Sequence, residues 1–398
     1  MTTSQAIEFD PYDYDTFCDP YPIYQRLRDQ MPVYHNERLN FWALARHADV
    51  LAAHNDWELY SSTGGVTIEG DEKDAPFLIV KDPPEHRWHR KIIGKVFTPR
   101  RILALEPFIR ARCGELLDRY VGEPEFDVAG NFAVRLPLDV ISELIGIPEE
   151  MREHVHVYSD LVAARGDDLK KDAAMDAALK LYELYFELVK ERRKNRRDDV
   201  ITVLIESEVE DDDGKTRRMS DEEVAFRFYE MGFAGHETVA KGIPNGLLAL
   251  TKFPGEKARL LADPALYTSA AEEILRYDPP SQLQGRTTTA DVTLHGVTIP
   301  AGEKVMLITG SALRDERAYS EPDRFDVTRQ SDPSTLFFGF GIHRCIGAHL
   351  ARLEIKLAFE EILNRFPNFV VDESRAQRKV STNVRGVAHL PLLTAGDA

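Results

Sequence analysis

The segment Phe338-Gly339-Phe340-Gly341-Ile342-His343-Arg344-Cys345-Ile346-Gly347 constrains this chain more than any other. Its glycines permit positive φ and let backbone approach a flat ligand closely. Leu350, Leu353, Leu357 and Ile362 follow at roughly helical spacing, which predicts a helix starting just past the cysteine. A sulfur at that end would lie beside free N–H groups and the positive end of the helix dipole, and both favour thiolate over thiol. A lone thiolate of this kind can be the single axial ligand of a haem iron. The other reading is a small buried hydrophobe. A zinc site needs about four ligands, and Cys18 and Cys113 have no partner pattern around them. The loop by itself leaves haem ligand and buried hydrophobe level.

With 398 residues the chain can bury a substantial core, in one large domain or two average ones. It has no long apolar run, and Met1 to Asp15 is polar and acidic, without signal-peptide or anchor character. The expectation is a cytoplasmic protein without a membrane span. Widely spaced Cys18, Cys113 and Cys345 suit a reducing compartment and offer no disulfide framework. A net charge of −17 argues against nucleic acid as a partner. One segment breaks the acidic trend: residues 86–101 hold six Lys or Arg and no acid. Such a run is either a solvated helix face or a site for anions, whether cofactor carboxylates or an acidic protein.

Most of the chain reads as helix. Apolar residues recur at spacings of three and four in 100–120, 139–147, 154–164, 172–192, 221–251, 257–276 and 347–366. Short β-like pieces fall near 32–36, 41–45, 292–299 and 303–308, with a tight turn at His295-Gly296. The acidic run 208–214 reads as an exposed loop. With no linker or repeat in view, the pattern predicts one mainly α domain over 1–398 with a small β region.

The segment 221–251 is long for a globular helix. Ser220 and Glu223 form a capping box at its start, and Pro254-Gly255 mark its stop. Gly232, Gly235, Gly242 and Pro244 weaken it from within. Either tertiary packing rescues a poor helix, or the helix is opened at Ala234-Gly235-His236-Glu237-Thr238, where an acid and an alcohol could admit a water and hold a proton path.

Taken together, Phe-Gly-x-Gly-x-His-x-Cys-x-Gly resembles the haem-binding loop of the cytochrome P450 family, with Ile346 where the family usually has Leu. Ala234-Gly235-x-Glu237-Thr238 is similar to that family's oxygen-activation motif. The resemblance implies that Thr238 steadies dioxygen and that Glu237 helps deliver protons. It implies no role for His236. Glu273-x-x-Arg276 is similar to the family's Glu-x-x-Arg helix, with Arg324 of Pro322-Asp323-Arg324-Phe325 expected to complete a buried network. His86 and Arg90, which follow Asp82-Pro83-Pro84-Glu85, match contacts to the cofactor's carboxylates, as do Arg286 and His343.

The resemblance spans about Asp10 to the end. It implies the P450 fold, with haem b between the long central helix and the cysteine-loop helix. Cys345 would be the metal ligand. Ala234, Gly235, Phe338 and Gly339 would join the four carboxylate contacts around the cofactor. The implied activity is insertion of one oxygen atom into a small apolar substrate, with electrons from an external ferredoxin and its reductase. Arg87, Lys91, Arg100, Arg101 and Arg344 would form the basic docking face, and a monomer is the plain expectation. Two other readings stay open: a peroxide-driven haem peroxygenase, and a non-enzymatic haem-binding protein. Pocket residues are expected from Thr67 to Ile79, from Met231, Phe233 and Ala234, from Leu283 and Gln284, and from Val384. The acidic tip Asp71, Glu72 and Asp74 is expected to serve solubility. Leu313 stands where bacterial members usually have Asn, which implies a local change in hydrogen bonding.

Overall fold

Ser220 and Glu223 start the longest helix of the chain, Asp221–Lys252. The Ser220 hydroxyl accepts the Glu223 N–H, and the Glu223 carboxylate accepts the Ser220 N–H, which satisfies two end donors reciprocally. The computed structural model describes residues 7–70, 75–163, 171–330, 332–378, 381 and 384–395. In it this central helix continues for 32 residues, straight through Ala234–Thr238 and Pro244. Of the two readings left open, the backbone matches the helix rescued by packing, and only a side chain departs from the regular ladder. The Thr238 hydroxyl donates to the Ala234 carbonyl at 3.4 Å, a back-bond that competes with the helix ladder.

The central helix packs against Lys171–Lys194, Arg135–Ile145, Ala348–Arg365 and Tyr267–Tyr277. Its glycines serve those contacts. A Cβ at Gly246 would run into Phe359 and Ile274, so the glycine lets the neighbouring helices approach. The helical stretches read from the sequence are present with shifted ends. The stretch 100–120 is split into Pro99–Ala104 and Glu106–Leu117, and 257–276 is interrupted at Asp263-Pro264 between Pro254–Ala262 and Tyr267–Tyr277. Proline sits in the first turn of three of these four helices, where its missing N–H costs nothing.

A five-stranded sheet lies beside the helices, in the order Val33–Asn36, Phe41–Leu44, Lys304–Ile308, Leu283–Thr288, Tyr60–Ser61. Phe41–Leu44 and Lys304–Ile308 are parallel; the other neighbours are antiparallel. A separate hairpin, Val292–Leu294 with Val297–Ile299, turns at His295 (φ 52°) and Gly296 (φ 79°), the left-handed pair that a tight hairpin demands.

Two expectations are corrected here. Arg324 does not complete the Glu273–Arg276 network. Its side chain is half exposed and pairs with Glu321 at 3.3 Å, and only its carbonyl meets Arg276. Arg329 takes the place, with Nε 3.1 Å from Glu273 Oε2. The 208–214 segment is not simply a loop. Val209–Glu210 and Thr216–Arg217 form a hairpin that lies over the basic helix Glu85–Gly94: Asp212 pairs with Arg87 at 2.6 Å, and Lys91 donates to the Glu210 carbonyl at 3.2 Å. Leu313 is fully buried in the core, and its carbonyl accepts from Arg276 at 3.0 Å.

Candidate functional site

The cysteine loop is built as its glycines required. Gly339 and Gly341 have φ of 65° and 64°. At Gly341 a Cβ would also collide with the His54 carbonyl, so only glycine fits there. Cys345 N–H donates to the Phe338 carbonyl at 2.8 Å, and the helix Ala348–Arg365 begins three residues later. Arg352, one turn into that helix, lies over the Phe338 ring at 4.5 Å and pairs with Glu272. Cys345 retains open surface, yet burial raises its thiol pKa. Both hold for a side chain lining an internal opening rather than bulk solvent. The Gly347 N–H, Arg90 and Arg352 pull the other way. The expected bias toward thiolate is thus present but outweighed by burial, and metal coordination is what removes the proton from a ligating thiol.

Next to the loop, four of the expected residues come together. His86 is on the helix Glu85–Gly94, Arg286 on the strand Leu283–Thr288, and His343 two residues before the cysteine. The His86 and His343 rings are 4.5 Å apart. Arg90 donates to the Arg344 carbonyl. Two unforeseen residues join them. His54 Nδ1 lies 3.5 Å from Arg286, and Ser62 Oγ lies 3.1 Å from His343 Nε2. Nothing in the helix His47–Asn55 singles His54 out in sequence. The nearby carboxylate, Asp82, already accepts from Ser61 and the Ser62 N–H.

This is a concentration of bases with too few acids. Burial, and then the charge of Arg286, lowers the His54 pKa to about 3; burial, then Arg90, lowers His86 to about 4. His343 is lowered well below the ordinary value for the same reason, and Arg286 is pulled down to about 10 by burial. Both ring nitrogens of buried His86, and Nε2 of His54, have no hydrogen-bond partner. Buried polar groups are normally satisfied. Orphaned nitrogens beside two guanidinium groups therefore fit a bound dianion, and the two propionates of a haem beside a cysteine sulfur meet that requirement.

The central helix, packed against the helix that follows the cysteine, carries the other expected motif. Ala234 is exposed in mid-helix, and Thr238, four residues on, shares its face. Glu237 makes no hydrogen bond or ion pair among the described residues. Gly235 departs from the expected set: a Cβ there would point at Ile141, 3.6 Å away, so its smallness serves helix packing. His236 is buried and its ring bonds to the Val134 backbone; burial, then His156, lowers its pKa to about 4. Two residues before Thr238, it lies on the far side of the helix from Ala234. Of the expected pocket residues, Met231 and Leu283 are buried, Phe233, Gln284 and Val384 are partly so, and Asp71, Glu72 and Asp74 lie outside the described residues. In the expected docking face, Arg87 and Lys91 are engaged by the acidic hairpin, while Arg100, Arg101 and Arg344 make no ion pair among the described residues.

A cysteine in a glycine-built loop, a dianion cradle beside it and a long helix packed on the helix that follows it define a haem-thiolate class of protein. The sequence profile described as Cytochrome P450 matches residues 155–393. Cytochrome P450 123 of Mycobacterium tuberculosis is 39% identical over 390 residues, covering 96% of each chain. Vitamin D(3) 25-hydroxylase of Pseudonocardia autotrophica is 36% identical over 405 residues, covering 98% of each. The crystal structure of CYP109E1 from Bacillus megaterium in complex with corticosterone superimposes with a TM-score of 0.87, at 29% identity over 96% of this chain and 100% of that one. The chain belongs to the cytochrome P450 family in its bacterial branch. It is a haem b monooxygenase. No helix among the described residues is long and apolar enough to cross a membrane.

Proposed function

We propose that Cys345 ligates the haem iron, that His86, Arg90, Arg286 and His343 hold the two propionates, and that residues 1–398 work as one catalytic domain. Thiolate-held haem supplies insertion of one atom of dioxygen into substrate, using two electrons and two protons, with the other atom leaving as water. The protein supplies the rest. Phe338 and Gly339 fix the loop that presents the sulfur, with the Gly347 N–H tempering its charge. Ala234 leaves room on the opposite face. The Thr238 hydroxyl, back-bonded to the Ala234 carbonyl, turns to donate toward the reacting oxygen. Glu237, free of other partners among the described residues, relays protons to that hydroxyl.

The observation that carries this reading is the orphaned His86 ring beside Arg90 and His343, within one loop of Cys345. C345S tests it: the holoprotein should lose the thiolate absorption signature and turnover together, and turnover that survived would refute the ligand assignment. T238A should divert electrons into peroxide; unchanged coupling would refute the proton role. The substrate is an apolar small molecule, as the largely apolar expected lining suggests. Two similar proteins, a vitamin D(3) 25-hydroxylase and one whose structure is in complex with corticosterone, point the same way. Electrons come from an acidic ferredoxin and its reductase, docking on Arg100, Arg101 and Arg344. A reduction rate indifferent to salt would count against that partner.

A further inference from the structure

Glu230 lies four residues before Ala234 and eight before Thr238. It therefore stands on the same face of the central helix, about 6 Å and about 12 Å along the axis from them. Its carboxylate leaves that helix to accept the Leu78 N–H at 2.7 Å, and the Ile79 N–H as well. Arg227, one turn earlier, pairs with Glu230 at 2.6 Å and donates to the Pro76 carbonyl. Both are held in the interior: Arg227 is 2% exposed and the Glu230 side chain 17%. Phe77 closes the junction against Phe226 and Tyr229, with ring centroids 5.1 Å and 6.5 Å away.

The clamped segment comes shortly before the helix that carries His86 and Arg90. Its own Leu78 and Val80 are buried. On its outer side, Pro76 and Lys81 border a cleft of about 260 Å³ shared with Phe226 and Arg227. A short 3-10 turn beside such a cleft needs a fastening, since loops are placed by the groups that satisfy their backbone. Here three backbone groups, the Pro76 carbonyl and the Leu78 and Ile79 N–H groups, are satisfied by two charged side chains of one helix. Arg227 spends its charge within the clamp, although its Nε stays buried without a partner. A charged fastening of this kind points to register, because hydrogen bonds fix position more narrowly than apolar packing does.

We propose that Arg227 and Glu230 are positioning residues that fasten segment 76–80 to the substrate face of the central helix and so set the shape of the pocket wall opposite Cys345. This rests on the haem-thiolate reading of that face. The test uses holoenzyme and two iron-binding probes, imidazole and 4-phenylimidazole, titrated by absorbance. Imidazole reports access to the iron, and the phenyl group of the larger probe reports the wall. E230L should weaken 4-phenylimidazole at least tenfold while leaving imidazole within twofold. E230Q, which keeps an oxygen for the Leu78 N–H, should stay within threefold for both. An unchanged ratio of affinities in E230L, or an equal loss in E230Q, overturns the proposal. Should E230L fail to take up haem, R227M decides: loss of the Pro76 contact should move the same ratio at least fivefold, and a ratio that stays put overturns the proposal. If neither probe shifts the wild-type spectrum, the haem reading itself has failed, which is a separate outcome.

Discussion

Removing Arg329 should destabilise this protein, and removing Arg324 should not. Glu273 is fully buried. It accepts from Arg276 Nε at 2.6 Å and Nη2 at 2.9 Å, from the Asp326 N–H at 2.9 Å, and from Arg329. Arg329 also donates to the carbonyls of Ser320, Glu321 and Arg324 at 2.9–3.1 Å, so it ties a surface turn to the buried acid. Deleting one partner of a buried ion pair costs about 3–5 kcal/mol when the remaining charge is left alone. Glu273 keeps Arg276, which lowers that figure, while the lost charged hydrogen bonds are worth about 1.5–3 kcal/mol each before water replaces them. The expected cost of R329A is about 2–4 kcal/mol. Arg324 pairs only at the surface, at 3.3 Å with Glu321 and 3.9 Å with Asp326, so R324A should stay within about 0.5 kcal/mol. Urea unfolding of the two holoproteins, followed by far-ultraviolet circular dichroism at equal haem occupancy, measures the difference. Equal losses in the two variants would refute the assignment of Arg329 as the third member.

Other outcomes follow from the same geometry. His236 is neutral in the fold because burial holds its pKa near 4; the unfolded ring titrates near its ordinary value. Stability from this site is complete above that value and falls as pH drops toward 4, by up to about 1.4 kcal/mol per pH unit. H236L should flatten that slope in acid denaturation, and an unaltered slope would show that the ring is not the group responsible. Glu354 carries the opposite sign. Burial with an unpartnered Oε2 raises its pKa well above the ordinary value, so folding takes up a proton and stability falls as pH rises. E354Q should match or exceed wild type at pH 8, with the gap closing toward pH 5; a variant markedly weaker at pH 8 would mean that the carboxylate is ionised and paired. G341A should lower haem retention and thermal stability together, since its backbone is left-handed and the His54 carbonyl occupies the Cβ position; an alanine variant that loads haem normally would contradict the close approach.

The parts of this molecule that were legible in sequence are those whose chemistry is local. The capping box at Ser220 and Glu223, the His295-Gly296 turn and Gly339 and Gly341 of the cysteine loop each require a particular residue at a particular backbone conformation, and all are found as read. The strand Leu283–Thr288 was missed because Leu-Gln-Gly-Arg-Thr-Thr has no alternation; it is held as a strand by the chains on either side. Arg329 was missed for a related reason. Which of two arginines reaches Glu273 depends on how the turn around Pro322 is folded, and the left-handed Glu321 (φ 46°) lies in that turn. Long-range partners such as His54 with Arg286 and Asp212 with Arg87 join segments far apart in the chain, and a single sequence holds no signal for them.

That distinction bears on how the site is held. The residues nearest the proposed iron position are fixed from the chain's own backbone: Cys345 by the Phe338 carbonyl, and Thr238 by the Ala234 carbonyl one helical turn away. The groups that would hold the cofactor's rim come from four separate segments, on His47–Asn55, Glu85–Gly94, Leu283–Thr288 and the cysteine loop. They meet with unsatisfied nitrogens and pKa values driven down by mutual burial. Bringing these bases together without a counter-anion is unfavourable, so the bound dianion must contribute to the stability of the fold as well as to its chemistry. The three cradle segments outside the cysteine loop should therefore be the least stable part of the haem-free chain and exchange their amide hydrogens fastest, whereas the cysteine loop, satisfied by its own backbone, should keep its shape; equal protection of all four segments would refute this.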